Sequence, residues 1–326
     1  MKNKPQMLKI VLTGGTGYVG NALIAAFAQL PAGSVRVKAL VRSAERATMP
    51  DFVECIEGCL QTLPDNLFFN EPHIVIHFGI KQIDDDNSGF YLTNVVGTQN
   101  LLEKCNHHTL GFMYGSTLSV QGQGTQSGVV ELQATNPQTR LAKSRAQAEK
   151  LVTSYMKASD KWGINLRPRF ILGKDDQHVL PGLSKLASRG IYLGSGRQKY
   201  SIICVDDYAS VILTLAELIN KSKCEGTESM QLALNIGYQK ALSFEQIFTQ
   251  IRDQFGFSRK ITHVNFPKWL PSFLKWIPSK IIRAKATQLE LIGFDHYGNI
   301  DRLEQLIGTD ITGQDPLDKF TELLDR

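Results

Sequence analysis

A run of glycines near the start of the chain constrains its fold more than any other feature. Gly14, Gly15, Gly17 and Gly20 follow a short β-branched segment, Leu8 to Thr13, and precede an apolar helical stretch. A strand, a glycine turn and a helix leave backbone N–H donors at the helix N-terminus, with no side chain in the way. The G-x-G-x-x-G and G-x-x-G-x-x-G spacings are both satisfied. They predict a site for the pyrophosphate of a dinucleotide.

Apolar strands and helical stretches alternate through the first half of the chain. Further strands are predicted at residues 35–41, 52–56, 73–78, 110–114 and 163–168, and helices at about 90–106 and 137–158. Such alternation requires crossover connections and a parallel sheet with helices on both faces. Residues 1–174 are therefore predicted to form an α/β doubly wound parallel sheet. Residues 175–326 are predicted to form mainly a smaller mixed C-terminal substrate lobe, with some strands returning to the main sheet.

The residues after the second predicted strand bear on the choice of cofactor. An acidic residue there binds the 2′-hydroxyl of the NAD ribose. This chain instead has Arg42 and Ser43, with Arg46 one turn later, and no carboxylate before Glu45. A guanidinium carries the opposite charge to a phosphate and can donate two parallel hydrogen bonds to it. The sequence therefore favours NADP(H) over NAD(H), against the alternative of a solvated arginine at a strand end.

Composition excludes several classes of protein. The 326 residues are 42% hydrophobic and 21% charged, values typical of a globular chain. The five scattered cysteines have no metal-ligand spacing, so no metal site and a reducing cytoplasm are expected. We expect no signal peptide and no integral membrane segment, because no apolar run reaches ~20 residues. The net charge of +5 comes with no nucleic-acid-binding motif, so no nucleic-acid partner is expected.

Seven segments, in chain order, carry a resemblance to one family. They are Thr13–Gly20 (TGGTGxxG), Val75–Gly79 (VxHxAA), Asn94–Leu102 (NVxGTxNLL), Ser116–Gly122 (SSxxVYG), Leu166–Gly173 (LRPxxVYG), Cys204–Asp207 (HVDD) and Asn235–Gly237 (NIG). Through them nearly the whole chain resembles the extended short-chain dehydrogenase/reductases, the group of nucleotide-sugar epimerases and 3β-hydroxysteroid-dehydrogenase-like enzymes. The fold this implies is a Rossmann sheet. Combined with the turn and strand-end residues, the cofactor-binding set it implies is Gly14, Gly15, Thr16, Gly17, Tyr18, Val19, Arg42, Ser43, His77, Gly79, Asn94, Pro168 and Ile171.

The catalytic signature that the resemblance implies is incomplete. Family members carry Tyr-x-x-x-Lys on the helix after strand five, but this chain has Leu141 and Arg145 at those positions. Leu141 cannot transfer a proton, whereas Arg145 can still supply charge and hydrogen bonds to the nicotinamide ribose. Thr117 matches the catalytic serine or threonine. Lys81, near the end of strand four, is the substitute proton donor to test first, although a solvated surface lysine is the alternative.

The segment 266–283 mixes bulky apolar residues with lysines and holds Trp269 and Trp276. Three interpretations compete: a lid over an apolar substrate pocket, the core of the lobe, or a surface that docks on a membrane or a dimer partner. A homodimer is compatible with the resemblance. The acidic run at Asp84 to Asp86 is interpreted as a solvated loop.

Together these features predict an NADP(H)-dependent oxidoreductase or epimerase-like enzyme with non-standard acid–base residues. Its expected substrate is a small lipophilic alcohol or ketone. Two alternatives stay open: a non-catalytic NADP(H)-binding sensor or scaffold, and non-redox cyclisation or rearrangement in the same cleft.

Overall fold

A computed structural model describes residues 7–84, 89–177, 179–225 and 227–325. Asp85 and Asp86, part of the acidic run, lie outside these ranges. The strands are β1 Leu8–Thr13, β2 Val35–Val41, β3 Val53–Glu57, β4 His73–His77, β5 Thr109–Gly115, β6 Gln126–Val129, β7 Trp162–Pro168, β8 Phe170–Leu172, β9 Ile191–Leu193, β10 Lys199–Tyr200, β11 Ile202–Cys204, β12 Gln231–Ile236, β13 Leu242–Ser243, β14 Thr262–Val264 and β15 His296–Gly298.

The helices connect and cover these strands. The α-helices are α1 Tyr18–Ala28, α2 Gly97–Glu103, α3 Arg140–Ala158, α4 Val179–Ser188, α5 Val205–Glu225, α6 Phe244–Gln254, α7 Leu270–Leu274, α8 Lys280–Gly293, α9 Asp301–Ile307 and α10 Pro316–Leu324. A π-helical turn at Leu92–Val96 leads into α2, and a 3₁₀ turn at Leu118–Gln121 follows β5. Among the described residues, no helix is long and apolar enough to cross a membrane.

The central sheet has seven parallel strands in the order β12-β7-β5-β4-β1-β2-β3. The chain leaves β1 in one direction and returns through β4 in the other. The order therefore reverses between β1 and β4, which confirms the doubly wound α/β prediction. In open α/β sheets the crevice at such a reversal, at the carboxyl ends of the strands, is where ligands bind.

Side-chain alternation along β1 explains why both sheet faces are covered. Ile10 and Leu12 belong to the core on the face that packs α1 and α5, whereas Val11 belongs to the core on the face that packs α2 and α3. All three are completely buried. A strand buried on both faces reads as a continuous apolar run, which is the pattern observed in β1 and β4.

The second half of the chain carries a smaller mixed sheet in the order β13-β10-β15-β6. Two strands cross between the halves. β12 returns to the edge of the large sheet beside β7, and β6, from the first half, joins the small sheet beside β15. The boundary between residues 174 and 175 stays a prediction.

Candidate functional site

The glycine turn lies at the carboxyl ends of β1 and β4, where Thr13 is the register partner of His77. Gly14 has φ +74°, and a Cβ there would lie 2.5 Å from the carbonyl carbon and oxygen of Phe78. A Cβ on Gly20 would lie 2.2 Å from the carbonyl oxygen of Gly14. Gly14 can therefore pack against the residue after β4, and Gly20 of α1 against the turn, only because neither has a side chain.

The first turn of α1 offers unpaired donors to an anion. Its N-cap is Gly17, no side chain caps it, and its first turn has no acidic residue. Thr16 and Gly17 are exposed, whereas Gly15 is buried. The Tyr18 ring packs on Gly173, so only its backbone belongs to the turn. Uncapped N–H groups at a helix N-terminus form a phosphate-binding site, and these residues fit a dinucleotide pyrophosphate.

Beside the turn lies a cleft of ≈ 520 Å³. It is lined by Thr13, Gly14, Thr16, Gly17, Leu40, Val41, Arg42, Gly58, Cys59, Leu60, Gln61, Phe78, Gly79, Ile80, Lys81, Ile83 and Thr93. Within the described part of the chain, these lining residues include two cations, Arg42 and Lys81, and no carboxylate. Glu57 lines a neighbouring depression that Arg42 also borders, and its carboxylate accepts the N–H of Ala44 at 3.0 Å.

Several predicted cofactor residues lie outside this cleft. Ser43 and Val19 are half-buried neighbours of Arg42 and Tyr18. Pro168 is buried at the end of β7, and Ile171 is half-buried in β8. Both follow the carboxyl end of β7, beyond β5 and β4 from the glycine turn. The structure therefore divides the predicted set into a pyrophosphate side at β1 and a second side at β5 and β7.

His77 holds the floor of the site together, but has no exposed surface for a cofactor. Its Nδ1 lies 2.6 Å from Thr13 Oγ1, and its Nε2 lies 3.0 Å from Thr98 Oγ1. The Thr98 hydroxyl donates to the carbonyl of Asn94, so Nε2 carries the proton and Nδ1 accepts from Thr13. Burial, with a smaller effect from Arg145, lowers the pKa of His77 to about 3. The sequence allows either a structural or an adenosine-side role for His77, and its burial and two hydrogen bonds are those of a structural residue.

Asn94, also in the predicted cofactor-binding set, makes its hydrogen bonds within the protein. Its amide side chain is completely buried, accepting the N–H of Lys81 at 2.8 Å and donating to the carbonyl of Lys81 at 3.1 Å. It also donates to Ser144 Oγ at 3.0 Å. Asn94 therefore fixes the segment after β4 to α3. Lys81 pairs with Asp84 at 3.2 Å through its ammonium.

Arg145 is a buried cation beneath the site. Its Nη1 donates to the carbonyl of Gly115, and its Nε has no partner among the described residues. The carboxylate of the nearby Glu149 forms its ion pair with Arg167. Burial lowers the pKa of Arg145, partly offset by Tyr114 and Tyr208. The guanidinium is directed at the end of β5, and its contact with the nicotinamide ribose stays a prediction.

Thr117 begins a hydrogen-bonded chain that sequence reasoning missed. Its Oγ1 accepts the N–H of Ser119 at 3.3 Å and lies 3.4 Å from Ser119 Oγ. Arg169 Nη1 donates to Ser119 Oγ at 2.6 Å, and Arg169 Nε is buried without a partner in the described chain. Burial lowers the pKa of Arg169 to about 10, although Glu290 opposes the shift. The one sequence signal that could have identified Arg169 is its position, directly after the Arg167-Pro168 pair that matches the family motif.

Leu141 and Tyr114 are both unsuited to donate a proton to a substrate. Leu141 is half-buried in the first turn of α3, four residues before Arg145 and therefore on the same helix face. Tyr114 is completely buried, its hydroxyl lacks a partner among the described residues, and burial raises its pKa. A phenol in that environment is a poor proton donor to a substrate oxygen.

Gly14→Ala is expected to weaken nicotinamide dinucleotide binding by about 10–100-fold, because displacing the turn removes at least one charge-assisted hydrogen bond to phosphate. The matched control is Gly33→Ala: Gly33 has φ +76°, but no heavy atom lies within 4 Å of a Cβ there. It should cost about 1 kcal/mol of stability and leave affinity unchanged. Calorimetric titration and urea unfolding of both variants check this. Equal affinities would contradict a role for the close contact between Gly14 and Phe78.

Among the described residues, no group of three or more histidine, cysteine, aspartate or glutamate side chains is arranged to hold a metal ion.

Comparison with known proteins identifies the family. The sequence model of the NAD dependent epimerase/dehydratase family matches residues 10–237. A 2-alkyl-3-oxoalkanoate reductase of Stenotrophomonas maltophilia is 28% identical over 239 residues, covering 67% of this chain and 68% of the relative. A UDP-glucose 4-epimerase of Vibrio cholerae is 26% identical over 220 residues, covering 63% and 65%. The chain thus spans about two thirds of the length of each.

Solved structures agree with the fold. The UDP-glucuronic acid 4-epimerase of Bacillus cereus, determined in complex with NAD, has a TM-score of 0.71 and 17% identity, covering 98% of each chain. The UDP-glucose 4-epimerase of Thermotoga maritima has a TM-score of 0.70 and 14% identity, also covering 98% of each. At these identities the likeness shows the fold alone.

Proposed function

The chain belongs to the NAD dependent epimerase/dehydratase family, and we propose that it is an NADP(H)-dependent oxidoreductase or epimerase-like enzyme acting on a small lipophilic alcohol or ketone. The charge of the cleft supports NADP(H) most directly. Arg42 lines the same cleft as Gly14 and Gly17, and no carboxylate among the described lining residues is placed to bind a ribose 2′-hydroxyl. A guanidinium there favours a 2′-phosphate.

Each side of the site has a part in the proposed reaction. Bound NADPH supplies the hydride. Gly14, Gly17 and the first turn of α1 hold the pyrophosphate, while Arg42 holds the 2′-phosphate. Arg145 fixes the end of β5 from below through the Gly115 carbonyl, which keeps Thr117 at the reacting edge of the sheet. Arg145 is therefore assigned a positioning role.

Thr117 is assigned the polarisation of the substrate oxygen. Ser119 Oγ accepts from Arg169 Nη1 at 2.6 Å and, more weakly, from the Thr117 hydroxyl at 3.4 Å. Thr117 Oγ1 itself accepts the Ser119 N–H, and its proton can turn from the long contact with Ser119 to the substrate oxygen. The proton delivered in the reaction comes from water, from the substrate or from Lys81, which lines the cleft.

Two observations support a lipophilic carbonyl substrate. Leu141 presents an apolar side chain where family members carry the catalytic tyrosine, on the face that also carries Arg145. A relative is named for the reduction of 2-alkyl-3-oxoalkanoates, which are ketones with an alkyl chain. A cytoplasmic location is proposed with this function, and Cys55, Cys59, Cys105 and Cys204 are free thiols.

Calorimetric titration with NADPH and NADH tests the cofactor assignment. The wild-type protein should bind NADPH more tightly, and Arg42→Ala should weaken NADPH binding by about 10–100-fold with little change for NADH. Arg46→Ala is the matched control, because Arg46 is an exposed arginine that does not line the cleft. Equal binding of the two cofactors, or an equal loss in Arg46→Ala, would contradict the assignment.

A second candidate, an NADP(H)-binding protein without turnover, is favoured by Leu141 and by the burial of Tyr114. Measuring NADPH consumption with a panel of aliphatic 3-oxo acids and ketones distinguishes the enzyme from the non-catalytic binding protein. Turnover supports the enzyme. Tight NADPH binding with no consumption across the panel supports the sensor.

A further inference from the structure

The segment 254–289 concentrates the positive charge of the whole chain. It contains Arg259, Lys260, Lys268, Lys275, Lys280, Arg283 and Lys285, and no aspartate or glutamate. The complete chain has 36 lysines and arginines and 31 aspartates and glutamates. The rest of the chain therefore has 29 basic and 31 acidic residues, so this one segment accounts for all of the net charge of +5.

The same segment exposes large apolar side chains. Trp269, Phe273 and Trp276 are 62%, 58% and 88% exposed, and Ile281 at the start of α8 is 71% exposed. The first three, which we call the outer stripe, are spaced by four and three residues on a helical stretch around α7. Positions spaced in this way share one helix face. The rings of Trp269 and Phe273 pack edge to face at 5.9 Å.

The helix is oriented with its apolar face outward. Pro271, between members of the outer stripe, is buried. The ammonium of Lys275 is directed inward, where it pairs with the carboxylate of Glu290 and donates to Gln123 Oε1 at 3.0 Å. A surface helix normally buries its apolar face and exposes its charges. Here the inward side is apolar as well, since Leu274 is half-buried beside Pro271. The outer stripe is therefore a second, exposed apolar surface that is available to contact something outside the chain.

We infer that the outer stripe and the basic residues around it dock the protein on the surface of an anionic phospholipid membrane. Arg259, Lys260, Lys268, Arg283 and Lys285 are exposed. Aromatic side chains that enter the interface, combined with cations that meet lipid phosphates, are the two signals that peripheral binding requires. A second copy of the chain fits less well, because a two-fold interface would place this basic segment against itself.

Docking in this way would place the loop beside Thr117 near the lipid. Gln123, which Lys275 contacts, follows the 3₁₀ turn that carries Ser119. The helix bearing the outer stripe is therefore tied to the loop beside Thr117. The docking itself does not depend on the proposed redox function.

Co-sedimentation with vesicles tests the inference. The protein is expected to bind vesicles of phosphatidylcholine with phosphatidylglycerol, and at least about tenfold more weakly to phosphatidylcholine alone. Binding should shift the tryptophan emission to shorter wavelength through Trp269 and Trp276, since Trp162 is already buried. Phe273→Ser with Trp276→Ser should reduce binding about 100-fold, because each buried aromatic side chain accounts for about tenfold.

Two further variants test how charge and exposed apolar area each contribute to vesicle binding. Lys268→Gln with Arg283→Gln should reduce binding to anionic vesicles about fivefold per charge and leave binding to phosphatidylcholine unchanged. Leu132→Ser is the matched control, since Leu132 is 84% exposed but lies outside the segment. Circular dichroism checks that every variant is folded, and NADPH affinity is measured separately. If the wild type binds vesicles but not NADPH, the proposed function fails and the docking stands.

Three results would overturn the docking. One is no binding of the wild-type protein to either vesicle, and another is an equal loss of binding in Leu132→Ser. The third is a change in oligomeric state: light scattering that shows a wild-type dimer and a Phe273→Ser, Trp276→Ser monomer would assign the outer stripe to an interface between copies of this chain.

Discussion

Lowering the pH from 8 to 5 is expected to reduce the free energy of unfolding by about 4 kcal/mol through two buried histidines. Burial lowers the pKa of His77 to about 3, with a smaller effect from Arg145. It lowers the pKa of His73 to about 3, with smaller effects from nearby cations such as His108. Both folded-state values lie below the unfolded value of about 6.5. The neutral form is therefore favoured in the fold, and stability present above pH 6.5 is lost as the pH falls toward 3.

The hydrogen bonds of both rings agree with the neutral form. His73 Nδ1 lies 2.8 Å from the carbonyl of Glu71, so it donates, and His73 Nε2 accepts from Thr109 Oγ1 at 3.0 Å. In each ring, one nitrogen accepts a hydrogen bond from a threonine hydroxyl. A second proton on that nitrogen would point at the hydroxyl proton, so the charged form of His73 or His77 would lose this hydrogen bond. His296, whose pKa burial also lowers to about 3, changes stability in the same direction.

Urea unfolding at a series of pH values measures this effect. Two histidines give a change of about 2.4 kcal/mol between pH 6 and 5. Imidazole NMR signals distinguish them from carboxylates, because the signals of His73 and His77 should not titrate above pH 5 in the folded protein. A free energy of unfolding that is constant from pH 7 to 5 would contradict the prediction.

Glu149→Leu is expected to destabilise the fold by about 3–5 kcal/mol, because it leaves the Arg167 charge buried without its partner. The two side chains are each 5% exposed and pair through two parallel bonds, Nε to Oε1 at 2.9 Å and Nη2 to Oε2 at 2.6 Å. This ion pair joins α3 to β7. The third guanidinium donor, Arg167 Nη1, reaches the carbonyl of Glu131 at 3.2 Å.

The double variant Glu149→Leu, Arg167→Met should be less destabilised than Glu149→Leu alone, since no unpaired charge stays buried. Urea unfolding of Glu149→Leu, Arg167→Met and the double variant gives the coupling energy. Glu54→Gln is the control, because Glu54 pairs with Arg36 on the exposed surface, and its midpoint should not change. Additive losses in the two single variants would argue against the pair acting as a unit.

The sequence predicted the large sheet because its signals are local. The β-branched run of β1, the glycine turn and the apolar start of α1 each specify structure over a few residues, and alternation supplies the parallel order. The small sheet lacks such signals. β6, Gln126–Val129, has no hydrophobic alternation and is defined only by pairing with β15, far away in the chain.

The candidate site shows the same limit. Residue types at the ends of β1, β2 and β4 predicted which segments meet, but not where individual side chains point. The sequence placed His77 and Asn94 in the cofactor-binding set, but it did not show that both side chains are buried and hydrogen-bonded to other segments, at Thr98 and Lys81. Arg145 is directed at a backbone carbonyl, which no side-chain pattern can reveal. The chain from Thr117 through Ser119 to Arg169 exists because β5 and β7 are neighbours in the sheet.

The entry of β12 at the edge of the central sheet has a consequence for biosynthesis. β7 is complete at Pro168, but its outer edge stays open until β12 has been made, from Gln231 onward. At about 5–20 residues per second, the ribosome leaves that edge uncovered for roughly 3–13 s. An apolar parallel strand exposed for so long is a template for pairing with another nascent chain. Folding during translation should therefore depend on a chaperone that shields β7 until β12 emerges.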